Sequence, residues 1–182
     1  GTASGPEFSM YWLNYSSDNG STWTNIASSD SSIGSDTLSS WSTSALTETE
    51  YILRLYVLNS TGINNSYSIN VTVDNTNPNI TSGPSAGSVD ENSAEISWTT
   101  NESANATVEY GETTSYGSTS SRATFLTSHS ITLTGLSAST TYHYKVISYD
   151  QAGNMINSSD ATFTTDESSG GTSPGGSLPP PL

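Results

Sequence analysis

Short stretches in which apolar and polar residues alternate are the feature that most limits the fold of this chain. Residues 67–73 read YSINVTV, and residues 105–110 read NATVEY. Because successive side chains of a strand point to opposite faces, this alternation predicts half-buried strands with Asn70, Thr72 and Asn105 on solvent faces. Similar stretches recur between clusters of Gly, Asn, Asp and Ser, and none has a sustained helical period. The sequence therefore predicts an all-β protein.

The motif Asn-x-Ser/Thr, in which x is not Pro, is the acceptor for N-linked glycosylation in secreted proteins. It begins at nine positions: Asn14, Asn19, Asn59, Asn64, Asn70, Asn79, Asn101, Asn105 and Asn157. The alternation turns Asn70 and Asn105 away from the apolar side of their strands, so sugars there would not disturb a core. The sequence predicts an extracellular or cell-surface protein that carries covalent N-glycans.

Charge and cysteine content disfavour several functions. Seventeen acidic residues stand against three basic ones, and the net charge is −14. Nucleic acids and anionic membrane surfaces need basic patches, so neither is expected as a partner. The absence of cysteine excludes disulfide scaffolds and thiolate metal sites. The sequence has no run of about 20 apolar residues, so no membrane span is predicted. Surface proteins without cysteine are common in microbes, so the absence of cysteine indicates an archaeal or bacterial source.

A break in the pattern divides the chain. Residues 73–79 read VDNTNPN, in which Asn and Asp favour turns and Pro78 prevents a strand from continuing. We expect one domain in residues 1–77 and a second in residues 78–166. The composition of residues 167–182 changes to Gly, Ser and Pro, which predicts a flexible and then polyproline-like tail.

The second segment has the clearer strand pattern. Its alternation predicts these inward-facing residues: Ala94, Ile96, Trp98, Ala106, Val108, Tyr110, Ile131, Leu133, Leu136, Tyr142, Tyr144, Val146 and Phe163. Residues 134–144 read TGLSASTTYHY, and residues 149–154 read YDQAGN. Together with Trp98, these runs resemble a fibronectin type III domain, including its tyrosine corner, last hairpin and second-strand tryptophan.

The resemblance implies a tyrosine corner in which the hydroxyl of Tyr142 bonds back to the chain. The segment is most similar to the variant of this domain that occurs on microbial surface proteins and on the N-terminal side of some metallophosphatase domains. The metal ligands of those enzymes lie in another domain, so the resemblance implies no catalysis for this segment.

The first segment resembles an Ig-like repeat of secreted archaeal and bacterial proteins. The matching stretches are residues 1–5, 15–23, 51–55 and 71–76. Only four or five strands can be assigned to residues 8–74, fewer than the seven of a constant-type sandwich. We expect a missing strand, supplied either by upstream residues or by another molecule through strand addition. Without that strand, one edge of the sheet would lack a hydrogen-bonding partner. We expect this bare edge beside Tyr11, Leu13 and Tyr15.

Residues 16–23 contain the pattern Ser-x-Asp-x-Gly-x-Thr-Trp, which is similar to the Asp box of sialidase propellers and other β-proteins. There Asp18 is expected to bond turn amides and Gly20 to permit a tight backbone. The box is structural in those proteins, so it predicts a hairpin stabiliser here, with a sugar contact as the alternative.

Trp12 and Tyr56 lie out of phase with the apolar faces of their strands. They predict either a sugar-binding platform or packing beneath the missing strand or against the second domain.

Metal and catalytic candidates are few. Oxygen ligands at the domain junction form a candidate calcium site from Asp74, Asn75, Asn77 and Asp150, with Glu102 as the alternative to Asp150. The alternative is an Asn/Asp turn. His129 and His143 are each predicted on a strand, and their spacing does not supply a zinc site. No nucleophile elbow occurs, so neither an enzyme nor a cofactor is predicted beyond the calcium candidate.

The sequence predicts two tandem Ig-like and fibronectin type III-like β-sandwiches with a Pro-rich C-terminal tail. The predicted function is structural: a non-catalytic, glycosylated subunit or segment of a microbial surface filament, pilus-like fibre, adhesin or surface layer. It would associate with itself or with neighbouring surface-protein chains through sheet edges. The alternative is an accessory spacer or carbohydrate-binding module pair of a secreted hydrolase.

Overall fold

The structure is a computed structural model that describes residues 1–62 and 64–169, so most of the expected Pro-rich tail lies outside the described residues. All regular elements of the described residues are strands, as the alternation predicts. The chain forms two compact units, of which the first ends at Asn75 and the second begins at Thr76.

The first unit contains one four-stranded antiparallel sheet in the order β2-β1-β3-β4. Its strands are β1 (Phe8–Ser16), β2 (Thr24–Ser29), β3 (Glu50–Asn59) and β4 (Asn64–Thr72). An isolated bridge joins Ala3 to Ile33, and residues 34–49 form no strand.

Strand β1, which carries Tyr11, Leu13 and Tyr15, lies inside this sheet. Leu13 pairs with Leu55 of β3 on one side and with Ala27 of β2 on the other. The expectation of a bare edge beside these residues was therefore wrong. The edge strands are β2 and β4, because β1 finds hydrogen-bonding partners on both sides.

The second unit contains β5 (Ile80–Gly87), β6 (Ser93–Gly111), β7 (Ser118–Thr134), β8 (Thr141–Tyr149), β9 (Met155–Asn157) and β10 (Ala161–Thr164). The first half of β6 pairs with β5 and with the second half of β7. The second half of β6 pairs with β8 and with the first half of β7. Because the β6–β7 register shifts between Thr99 and Ala104, these two strands pass from one layer of a sandwich to the other.

The interior of the second unit confirms the predicted strand faces. Twelve side chains form one buried cluster, and all twelve were predicted to face inward. Tyr110 is the exception, since it is half-buried at the margin of the cluster.

Two turns of the second unit also match the expected geometry. The backbone N–H of Ser137 donates to the hydroxyl of Tyr142 over 3.0 Å, which is the tyrosine corner that the resemblance implies. In the turn after β8, Oδ1 of Asp150 accepts from the backbone N–H groups of Gly153 (2.7 Å) and Asn154 (2.9 Å). A buried carboxylate thus satisfies a tight turn.

Candidate functional site

The two faces of the first sheet differ in character. The tyrosine face carries Tyr11, Leu13, Tyr15, Tyr51, Leu53, Leu55, Val57, Tyr67, Ile69 and Val71, which the register places on one side. The sequon face carries Met10, Trp12, Asn14, Ile52, Arg54, Tyr56, Leu58, Asn64 and Asn70 on the other side. Both faces bear large apolar side chains, whereas a sheet with one solvated face alternates between apolar and polar residues.

A segment without regular structure covers part of the tyrosine face. Trp41 packs against Tyr15 with 5.0 Å between ring centroids and against Tyr51 with 5.7 Å. The hydroxyl of Tyr11 donates to the carbonyl of Leu38 over 3.0 Å. These contacts bury Tyr11 and Tyr51, so this segment takes the place that a second sheet occupies in a sandwich.

The cover does not extend to β4, the edge strand. Tyr67 is 73% exposed and Ile69 is 45% exposed, although both belong to the tyrosine face. Asn70 and Thr72 are exposed as predicted, and Val73 just after the strand is buried, but the alternation did not bury Tyr67 and Ile69. Alternation sets which residues share a face, and only a covering layer can bury that face.

Sequence reasoning did not identify β4 as an edge strand, although its sequence contains a signal for an unprotected edge. Its nine residues include neither Pro nor a charged residue. Natural edge strands are commonly protected by such residues, by bulges or by shortness. Strand β4 is long and pairs with β3 without a register shift, so it has none of these protections.

The sequon face has an aromatic centre. Trp12 and Tyr56 are directly paired in register and contact edge to face, with 5.5 Å between centroids. The guanidinium carbon of Arg54 lies 3.6 Å from the centre of the Trp23 ring, which is cation–π geometry. Trp12 and Tyr56 are half-buried, so part of each ring remains in contact with solvent.

The Asp box of residues 16–23 closes the β1–β2 hairpin. The two carboxylate oxygens of Asp18 accept from the backbone N–H (2.8 Å) and the hydroxyl (2.6 Å) of Thr22. The hydroxyl of Ser16 donates to Asp18 over 2.7 Å and accepts from the N–H of Gly20. These bonds, those from Thr22 foremost, lower the pKa of Asp18 to about 2. The geometry is that of a hairpin stabiliser, as predicted.

None of the nine sequon asparagines is buried. Six are exposed: Asn19, Asn64, Asn70, Asn79, Asn101 and Asn157. Asn14, Asn59 and Asn105 are half-buried. Oδ1 of Asn105 accepts from the backbone N–H of Tyr149, and Oδ1 of Asn14 accepts from Nδ2 of Asn25. An N-linked sugar is attached at Nδ2, so these bonds are compatible with glycosylation, which stays a prediction at every site.

The two histidines lie in strands β7 and β8, as predicted. His129 is buried, stacks on Trp98 with 4.9 Å between centroids and lies 3.1 Å from the Thr100 hydroxyl. Burial lowers the pKa of His129. These contacts give this side chain a packing role in the second unit.

His143 belongs to a surface cluster that sequence reasoning missed. Its Nδ1 lies 2.8 Å from Oδ2 of Asp160, and the hydroxyl of Tyr116 donates to Oδ1 of Asp160 over 3.1 Å. Burial and this hydrogen bond raise the pKa of Tyr116. Lys145, which pairs with Glu109 over 2.9 Å, lies beside the Tyr116 ring. The arrangement is a partly solvated ion-pair network, and only a known strand register would have predicted it.

The calcium prediction takes Asp74 and Asn75 from the first unit and Asn77 and Asp150 from the second. Within the first unit, Nδ2 of Asn75 donates to the carbonyl of Thr43 over 3.0 Å. Within the second, the carboxylates of Asp150 and Glu102 lie within 4.8 Å of each other. Asp150 already accepts the bonds of its own turn, and calcium binding stays a prediction.

Three comparisons relate this chain to known proteins. A family model described as the N-terminal domain of purple acid phosphatase matches residues 84–165, within the second unit. No curated protein matches the chain in sequence. The crystal structure of the FN1–FN3 domains of chicken CNTN1 matches with a TM-score of 0.56 and 16% identity, and the match covers 90% of this chain. The fold is fibronectin type III-like.

The match covers 57% of the chicken fragment, so this chain spans little more than half the length of that relative. The solution structure of the fibronectin type III domain of human fibronectin type III domain containing protein 3 matches with a TM-score of 0.43 and 23% identity. That match covers 56% of this chain and 97% of the human domain. None of the described residues forms a helix long and apolar enough to cross a membrane.

Proposed function

We propose that this chain is a non-catalytic, N-glycosylated module of a microbial surface filament, adhesin or surface layer, and that it binds neighbouring chains through β4. A fibronectin type III-like fold is typical of structural or binding modules. Such modules are common in extracellular and surface proteins, which agrees with the nine sequons.

The exposed edge of β4 is the observation that carries this proposal. A strand added beside β4 would gain main-chain hydrogen bonds, and its alternate side chains would pack on Tyr67 and Ile69. The exposed Asn64 and Asn70 lie on the opposite face. Because strand side chains stand roughly perpendicular to the sheet, sugars on these residues leave the edge open in the plane of the sheet.

The test compares the full chain with its Tyr67→Lys/Ile69→Lys variant by sedimentation velocity and negative-stain electron microscopy over a range of concentrations. We expect the unaltered chain to assemble and the variant to sediment as single chains. Leu126→Lys is the matched control, because Leu126 is 52% exposed in the second unit and lies outside β4. Equal assembly of variant and unaltered chain would refute the role of β4, and an unaltered chain that stays monomeric would refute self-association.

A second candidate function is an accessory module of a secreted hydrolase. The match of residues 84–165 to the N-terminal domain of purple acid phosphatases favours it, because such a domain is one part of a larger enzyme. The test is the sequence of the gene that encodes this chain. A metallophosphatase domain in the same reading frame supports the accessory module, whereas further β-sandwich repeats support the surface structure.

A further inference from the structure

The sequon face of the first sheet has apolar side chains at its centre and sequon asparagines around them. We propose that N-linked sugars on Asn14, Asn64 and Asn70 form the cover of this face. The inference rests on the glycosylation in the proposed function and adds where those sugars lie and what they contact.

The register between β3 and β4 places two sequons directly beside apolar residues. Asn64 is opposite Leu58, and Asn70 is opposite Ile52. Side chains directly opposite on one face have Cβ atoms about 4.5–5.5 Å apart, so the first sugar on each asparagine lies beside its partner. Leu58 and Ile52 are half-buried, whereas both asparagines are exposed.

The third sequon lies beside the aromatic centre of the face. Asn14 and Trp12 are two residues apart on β1 and so share a face, and Trp12 contacts Tyr56 across the strands. One side of a sugar ring presents C–H bonds, whose partial positive charge complements the negative face of an aromatic ring. A sugar on Asn14 is within reach of that contact.

The distribution of sequons along β4 supports the same conclusion. Asn64 and Asn65 are neighbours on β4 and face opposite sides of the sheet. Asn64, on the sequon face, is followed two positions later by Ser66 and forms a sequon. Asn65, on the tyrosine face, is followed two positions later by Tyr67 and does not. On β4, therefore, the sequons lie on the sequon face alone, and the sequon of Asn59 at the end of β3 is the exception on the tyrosine face.

The modification itself has a simple balance. Nδ2 of the asparagine attacks C1 of a sugar carried by a phosphate-linked glycosyl donor, and an N–C bond forms as the C1–O bond breaks. The phosphate leaves with the bonding electron pair, and the amide loses one proton to a base.

Ser16, the third residue of the Asn14 sequon, is buried and bonded within the Asp box. A transferase that recognises the Ser of this sequon would therefore have to act on Asn14 before the hairpin closes.

The experiment uses the full chain from its native source or from a host that glycosylates secreted proteins. Mass spectrometry gives the occupancy of each sequon, and hydroxyl-radical footprinting gives the oxidation rates of Met10 and Trp12. We expect Asn14→Gln/Asn64→Gln/Asn70→Gln to raise those rates about threefold, because the apolar centre becomes exposed. The control Asn19→Gln/Asn59→Gln/Asn157→Gln removes as many sugars elsewhere and should leave the rates unchanged.

A second pair of variants covers the case in which the triple variant does not fold. Ser66→Ala/Thr72→Ala destroys the sequons of Asn64 and Asn70 and keeps both asparagines, whereas Ser66→Thr/Thr72→Ser preserves the sequons. Only the first pair should increase the oxidation of Met10. Sedimentation of the same samples separates protection by sugars from protection by association.

The outcomes distinguish this inference from the proposed function. Unoccupied Asn14, Asn64 and Asn70 would refute both the cover and the glycosylation of the sequon face, and they would leave association through β4 standing. Occupied sites with equal oxidation in the triple variant and its control would refute the cover alone.

Discussion

At the scale of single residues, Trp98 and Asp18 show how one side chain can organise its surroundings. Nε1 of Trp98 in β6 donates to the buried hydroxyl of Ser148 in β8 over 3.1 Å, and the ring stacks on His129. Trp98 thus contacts strands that belong to both layers of the second unit. Asp18 is exposed but accepts bonds from two groups of Thr22, so it holds a hairpin without being buried.

Replacement of Trp98 by Ala should destabilise the second unit by about 3–5 kcal/mol, because a large buried ring is lost and a cavity remains. Trp98→Phe keeps an aromatic ring at this position and should reduce stability by less. Its remaining cost includes the hydrogen bond from Nε1 to the Ser148 hydroxyl, which Phe cannot make. Chemical denaturation followed by circular dichroism measures both changes. A loss below about 1 kcal/mol for Trp98→Ala would contradict the buried position.

The carboxyl of Asp18 should titrate with a pKa of about 2 in an NMR titration of the folded chain. The pKa of Asp18 is lower in the folded chain than in the unfolded chain. The ionised carboxylate therefore stabilises the hairpin at pH values above the pKa of the unfolded chain, and this stabilisation is lost as the pH falls through the pKa of the folded chain. Thr22→Val removes the hydroxyl donor and should move the pKa up toward its ordinary value. Thr22→Ser, which keeps the hydroxyl, is the control, and an unchanged pKa in Thr22→Val would contradict the assignment.

At the scale of strands and turns, local chemistry and distant pairing have separate roles. The alternation correctly predicted the buried side of β6 and β8, because a period of two is a property of each strand alone. The expectation that β1 lies beside a bare edge came from the count of strands, and it was wrong because edge or centre depends on which distant segments pair with the strand. The tyrosine corner was implied by the resemblance to fibronectin type III domains, and it could be carried over because its bond joins residues close together in the chain.

Tyr142→Phe should destabilise the second unit by about 1–3 kcal/mol, because the N–H of Ser137 loses its acceptor while the ring keeps its packing. Tyr149→Phe is the control for losing a tyrosine hydroxyl from the same strand outside the corner, because Tyr149 is 40% exposed. Thermal and denaturant unfolding measure both variants. Unfolding curves of Tyr142→Phe that overlay those of the unaltered chain would show that this hydrogen bond adds nothing to stability.

At the scale of the whole molecule, the two units differ in how much core they contain. The second unit buries a cluster of twelve side chains between its layers. The described part of the first unit has one sheet, and the segment that packs on its tyrosine face leaves Tyr67 and Ile69 exposed. A sheet with large apolar residues on both faces needs a cover on each, and the two proposals assign one cover to a neighbouring chain and the other to sugars.

Residues 1–77 expressed alone should not unfold cooperatively as a monomer at low concentration, whereas residues 78–169 should. Among the described residues, the second segment is the one that contains a closed core. Circular dichroism melts at several concentrations measure this. A sharp, concentration-independent transition of residues 1–77 would show that the first unit is complete by itself.

The sequence by itself determined the strand content, the inward faces of the second unit, the tyrosine corner and the Asp box. Each of these depends on residues close together in the chain, where periodicity and turn chemistry act. Only the tertiary structure decided that β1 is central, that β4 is an edge strand, and that Asn14, Asn64 and Asn70 share a face with Trp12. These features arise from hydrogen bonding between strands that lie far apart in sequence, and alternation within one strand carries no information about its neighbours.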